Sequence, residues 1–319
     1  MYYTDIIRAQ KRISGLVAKT ELRKSVYLGN LTQGEVFLKL ENLQITNAFK
    51  FRGAINKLIQ IKKSSQEIIT ASSGNHGQAV ARASRELGLK TKIILPERTP
   101  EKKKNLIKNY GAAYIIHGKT VDQAEEYGRN LAKKEGKLYI SPYNDEDIVA
   151  GAGTIGLELI EQLSGIQAVL VPIGGGGLIS GIAIALKEFN PSIKIFGVQP
   201  KNDAAMYYSL KSDNIIPASE YPCSVTIADG LAGGIEQNSI TFSIIKKYVD
   251  KIFLVSEKSI EKAIYQLWKN ERQIVEGAGA VGIAAIIEQP EIFLKQKMVV
   301  IISGGNINKD CFDRIIENK

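Results

Sequence analysis

The chain has 319 residues, 44% hydrophobic and 24% charged, a balance that excludes disordered, collagen-like and disulfide-scaffold proteins and suits two domains or one large one. Two cysteines, Cys223 and Cys311, and two histidines, His76 and His117, make neither a disulfide framework nor a Cys/His zinc set. The net charge of +9 is uneven, with 19 basic and 8 acidic side chains between residues 48 and 144, so an anionic partner such as nucleic acid is one reading of it.

The first ten residues are polar and charged, unlike a secretory signal, and the scarcity of cysteine fits a reducing cytosol. Cytoplasmic location is therefore the expectation. The first segment with chemical character is 39–54, where Lys50 stands between Phe49 and Phe51 at the expected start of a helix. The helix dipole and apolar neighbours would lower its pKa, as an amine that attacks carbonyls requires. An ordinary surface lysine is the plainer reading of that residue alone.

A strand is expected over 67–71, followed by Ser72, Ser73, Gly74, Asn75 and His76 and then a helix over 75–88. One polar residue caps a helix, whereas a run of them around free N–H groups suits a carboxylate or phosphate. Strands follow at 91–95 and 113–117, with helices at 101–110 and 121–135. The run Lys102, Lys103 and Lys104 lies in the first of these helices with no interleaved aromatics, so it reads as a solvated face rather than a nucleic-acid platform.

A buried strand over 168–172 runs into Gly174, Gly175, Gly176 and Gly177 and a helix over 178–189. The uncharged stretch 168–186 is long enough to imitate a membrane span, but Pro172 and the glycines make it strand, loop and helix. Four glycines bare the backbone amides at the positive end of that helix, which favours a phosphate cradle. Neither the Walker ending nor the dinucleotide spacing is present. Further strands are expected at 193–198, 251–255 and 298–302, the last ending at Ser303. Apolar strands alternating with helices predict an α/β fold of open, mostly parallel sheets, with ligands at the carboxyl ends of the strands.

Lysine, anion loop, glycine cradle and neutral hydroxyl, in that order, resemble the fold-type-II pyridoxal-phosphate enzymes of the threonine/serine dehydratase and serine racemase family. The likeness runs from about Thr20 to Asn306 and includes 226–230 and 276–282. It implies two tryptophan-synthase-beta-like domains with the cofactor between them, a large one of residues 1–47 and 145–319 and a small mobile one of 48–144. It further implies that Lys50 bonds to the cofactor, that Phe49 packs on its ring, and that Asn75 meets the ring hydroxyl. Gly174, Gly175, Gly176 and Gly177 would hold its phosphate, and Ser303 would face the pyridine nitrogen. Ser72, Ser73, Asn75, His76, Tyr143 and Asn144 would bind the amino-acid substrate. A serine at the ring nitrogen leaves a weaker electron sink and suits prompt loss of a leaving group over transamination.

The implied reaction is elimination of water from L-threonine, L-serine or a related β-hydroxy amino acid, giving a 2-oxo acid and ammonia. Racemisation, with Lys50 and Ser73 as bases on opposite faces, is the alternative within the family. A non-catalytic amino-acid or cofactor-binding protein is the alternative outside it. Thr46-Asn47-Ala48-Phe49-Lys50 departs from the family's Thr-Gly-Ser-Phe-Lys, which leaves the preferred β-hydroxy amino acid open. No metal, nucleic-acid or membrane partner is expected, nor a regulatory domain after Asn306, and relatives' habits imply a homodimer or homotetramer.

Overall fold

The computed structural model describes residues 1–62 and 67–317. Its strands are β1 (Leu22–Ser25), β2 (Glu35–Leu40), β3 (Ile68–Ala71), β4 (Thr91–Leu95), β5 (Ala113–Ile116), β6 (Leu138–Tyr139), β7 (Ala168–Pro172), β8 (Lys194–Pro200), β9 (Lys251–Val255) and β10 (Lys297–Ile302). They form a six-stranded sheet in the order β1-β2-β10-β7-β8-β9 and a four-stranded sheet in the order β5-β4-β3-β6. Only β1 pairs antiparallel, to β2, so the expectation of mostly parallel sheets holds. Buried apolar runs such as Val299–Ile302 in β10 and Ala168–Val171 in β7 sit between helices on both faces, as parallel strands require.

Helices cover those faces. In the first part of the chain they are α1 (Tyr3–Ile13), α2 (Val26–Thr32), α3 (Lys50–Ile61), α4 (Asn75–Leu87), α5 (Glu101–Asn109) and α6 (Val121–Glu135). Then come α7 (Glu146–Gln162), α8 (Gly177–Phe189), α9 (Ala205–Lys211), α10 (Ile240–Tyr248), α11 (Glu257–Glu271), α12 (Gly277–Glu288) and α13 (Lys309–Glu317). On α5, Lys104 pairs with Glu101 at 2.7 Å and Lys103 lies 3.9 Å from Asp229; the Lys102 side chain lies outside the described residues.

The two sheets meet through α3, which packs on α4 and on α7. At the α3–α7 crossing a β-carbon on Gly151 would lie 2.5 Å from the Arg52 carbonyl oxygen, so the backbones touch directly. A four-residue charge cluster locks this junction. Arg52 donates to both oxygens of Glu41 at 2.8 Å and to Glu158 at 2.6 and 3.0 Å, while Lys39 donates to Glu158 at 2.5 Å. Arg52, Lys39 and Glu41 are fully buried. Two cations balance two anions and nearly every donor is used, the condition under which buried charge is tolerated. No described helix is long and apolar enough to cross a membrane.

Candidate active site

The approach to Lys50 is built by backbone pairing. Ala48 forms an isolated bridge with Gly304, Phe49 N donates to Ser303 O at 3.0 Å, and Gly305 N donates to Asn47 O at 2.8 Å. The segment before α3 is thereby stitched to the turn that leaves β10, which brings Lys50 and Ser303 to one place. Asn47 adopts φ of 54°, a left-handed conformation that glycine takes freely and asparagine tolerates best among the rest. The asparagine that stands where the family has glycine therefore fills the same backbone role.

Lys50 opens α3, donates from Nζ to Pro142 O at 2.8 Å, and lies 5.2 Å from the centre of the Phe49 ring. Burial pushes its pKa down to about 8, against the partial opposition of Glu125 and Glu276. A large fraction of neutral amine near neutrality is what a nucleophilic lysine needs.

After β3 the chain turns through Ser72, whose Oγ accepts from Gly74 N at 3.1 Å. The turn is tight enough that a β-carbon on Gly77 would lie 2.1 Å from Ser72 O. Ser73 lines the cavity and its hydroxyl has no protein partner among the described residues. Asn75 is fixed from both ends: its amide donates to Glu276 Oε1 at 2.6 Å and its oxygen accepts from Asn306 Nδ2 at 2.8 Å. His76 points inward, with Nε2 3.4 Å from Ile140 O and Nδ1 unpartnered. Burial, reinforced by Lys50, drives its pKa down to about 3, so the ring is neutral.

On the other side β7 ends in the four glycines. Gly176 has φ of 88° and α8 begins at Gly177. The amides of Gly174, Gly175 and Gly176 have no protein acceptor among the described residues, and the helix adds its positive end there. Packing also demands these glycines. A β-carbon on Gly175 would fall 2.3 Å from the Tyr143 ring, and one on Gly176 would fall 2.6 Å from Ile245.

These groups enclose a cavity of about 290 Å³ lined by Phe49, Lys50, Ser72, Ser73, Asn75, His76, Tyr143, Gly175 and Ser303 among others. Asn144 is not on that wall: its amide donates to Glu236 Oε2 at 2.8 Å and its oxygen accepts from Ile240 N at 3.0 Å. Tyr143 both lines the cavity and accepts from Glu236 N at 2.9 Å through its hydroxyl. Among the described residues no group of three or more His, Cys, Asp or Glu side chains converges as a metal set.

Sequence reasoning missed the acids. Glu276, just before α12, and Glu125, on α6, both line the cavity. Burial raises each to about 7; Asp229 adds to the rise at Glu276, while Arg129 works against it at Glu125. Glu276 stands in the 276–282 stretch, and its place before a glycine-rich helix start was the available signal. Glu125 had none, because only the packing of α6 beside the β3 turn brings it to the cleft.

The chain matches the family model described as pyridoxal-phosphate dependent enzyme over residues 13–304. It is 40% identical over 314 residues to an L-threonine ammonia-lyase of Thermotoga maritima, covering 98% of this chain and 77% of that one. It superposes with a TM-score of 0.91 on threonine deaminase isoform 2 of Solanum lycopersicum at 33% identity, covering 99% of this chain and 92% of the other. Maize serine racemase gives the same TM-score of 0.91 at 31% identity, with 99% and 97% covered.

Proposed function

Because the chain belongs to the family of pyridoxal-phosphate dependent enzymes, we propose that this cavity is the active site of an ammonia-lyase that removes water from L-threonine, L-serine or a related β-hydroxy amino acid. The observation that carries it is the pairing of a lysine held at about 8 with a glycine cradle whose amides have no protein acceptor. The residues fit the cofactor. Gly174, Gly175, Gly176 and Gly177 would hold its phosphate at the amino end of α8, Phe49 would cover its ring, and Lys50 would bond to its aldehyde carbon. Asn75, oriented by Glu276 and Asn306, would meet the ring hydroxyl, and the hydroxyl of Ser303 the pyridine nitrogen. Bound there, the cofactor supplies an electron sink for the charge that develops at the substrate Cα.

The chain's own groups do the rest. The turn 72–76 would bind the substrate carboxylate through amide and hydroxyl donors, with neutral His76 adding no competing charge. Freed from the cofactor by the substrate amine, Lys50 Nζ takes the Cα proton, the Cβ–O bond breaks, and the leaving hydroxyl takes up a proton and departs as water. The released enamine then hydrolyses to a 2-oxo acid and ammonia. Tyr143 closes the side toward α8 and thereby excludes solvent from the cradle.

A second reading rests on Ser73. Its unpartnered hydroxyl shares the cavity with Lys50, as a racemase using two bases would need, and racemisation would accompany elimination as a side activity. Incubation with L-serine and L-threonine, with 2-oxo acid and D-enantiomer assayed together, tests both. Excess 2-oxo acid supports the lyase, and excess D-product overturns it. The free thiols of Cys223 and Cys311 are consistent with a cytoplasmic enzyme, and a homodimer or homotetramer is the assembly proposed for light scattering to check.

A further inference from the structure

Part of the cavity wall is acidic. Helix α6 contributes Val121, Asp122 and Glu125, and Glu125 lies four and three residues after the other two, on the same face as each. Residues 230–234, which also line the cavity, are three glycines, an alanine and a leucine and carry no charge. Two cations also line the cavity: Lys50, which interacts electrostatically with Glu125, and Lys103, which lies 3.9 Å from Asp229. Glu276 is occupied by Asn75.

Glu125 is incompletely paired. Arg129 donates to Glu125 Oε2 at 3.1 Å and also lies 2.9 Å from Glu236 Oε1, so one guanidinium serves two carboxylates. Glu236 further takes Ser141 and Asn144, which hold it in place. The second oxygen of Glu125 has no donor among the described residues, and its side chain is 19% exposed, at the cleft surface.

We propose that Glu125 selects β-hydroxy amino acids whose β-substituent carries a positive charge. The inference rests on the lyase reading. On this proposal the substrate carboxylate is set on the turn 72–76, Cα at Lys50 and the β-substituent against the α6 residues that line the same cavity. There an ammonium would complete the coordination of Glu125, and a carboxylate would face another carboxylate. The elimination is unchanged: the Cα–H and Cβ–O bonds break, water leaves, and the distal ammonium stays on the product. The pKa of about 7 at Glu125 supports the idea, since a neutral substrate lets it take up a proton while a bound ammonium holds it ionised.

A matched series tests this on the holoenzyme: threonine, 4-aminothreonine and 3-hydroxyaspartate, read by kcat/KM for 2-oxo acid release and by Kd from calorimetry. The expected order is 4-aminothreonine, then threonine, then 3-hydroxyaspartate. Glu125→Gln should lower the ratio of 4-aminothreonine to threonine about tenfold or more, the scale of one charged hydrogen bond. Glu125→Lys should shift the order toward 3-hydroxyaspartate, and if that variant does not fold the glutamine variant decides. A wild-type preference for threonine or 3-hydroxyaspartate, or a ratio unmoved by Glu125→Gln, overturns the selection. If no substrate yields 2-oxo acid while the Kd order holds, the lyase reading fails and the role of Glu125 stands.

Discussion

At the scale of single residues the site depends on where Lys50 spends its proton. Its pKa of about 8 arises from burial, with Glu125 and Glu276 pulling the other way as they ionise near 7. Cofactor-free protein should therefore take up the cofactor faster as pH rises, with an inflection near 8 and a plateau above it, because only the neutral amine attacks. Stopped-flow absorbance measures this; an inflection near the ordinary lysine value of 10.5 would show that Lys50 is solvated rather than buried. Lys50, the polar turn and Ser303 were legible because their residue types are unusual for their place in the chain. Glu125 was not, since an acid on a helix face looks like any solvated charge. Asn144 was legible only as a neighbour of Tyr143, and the structure gives its polar atoms to the 236–240 segment.

At the scale of elements, two features are built from contacts that no local pattern reveals. The Arg52, Lys39, Glu41 and Glu158 cluster joins β2, α3 and α7. Arg52→Met leaves two carboxylates facing one lysine, so urea unfolding should show a loss of about 3–5 kcal/mol. A loss below about 1 kcal/mol would mean the cluster is solvated or rearranges, as exposed pairs do. The glycine cradle is the second feature. Gly175→Ala puts a β-carbon 2.3 Å from the Tyr143 ring, so Tyr143 must move. We expect weaker cofactor binding and about 1–3 kcal/mol lower stability; equilibrium dialysis and thermal melts with wild-type values would refute the packing role. The same buried cluster explains a missed strand, for Lys39 interrupts the apolar run of β2 and so hides it. Charged, four-residue β1 and two-residue β6 were too short to signal themselves. Helix α7 carries no amphipathic stripe because Gly153 and Gly156 on it serve close packing against α8, where a β-carbon on Gly156 would lie 2.6 Å from that of Ala185.

For the whole molecule, alternating apolar strands and helices made the α/β class and its parallel sheets readable, and seven of the strands appear close to where periodicity put them. We propose the division at residues 48–144 with α3 as its junction, since α3 lies inside that span and packs on α7 through Gly53 and Gly151. Among the described residues the cavity is lined by two lysines of that span, Lys50 and Lys103, against four acids, Asp122, Glu125, Asp229 and Glu276. The charge is therefore no funnel for anions into the site.

The central claim is that Lys50, in a cleft completed by the glycine cradle and Ser303, drives loss of water from a β-hydroxy amino acid. Wild-type holoenzyme and Lys50→Ala, each given L-threonine and L-serine with 2-oxo acid followed over time, test it most directly. The account predicts steady 2-oxo acid release by the wild type and none above background by the variant. Release by Lys50→Ala at the wild-type rate, or none by the wild type with either substrate, would contradict it.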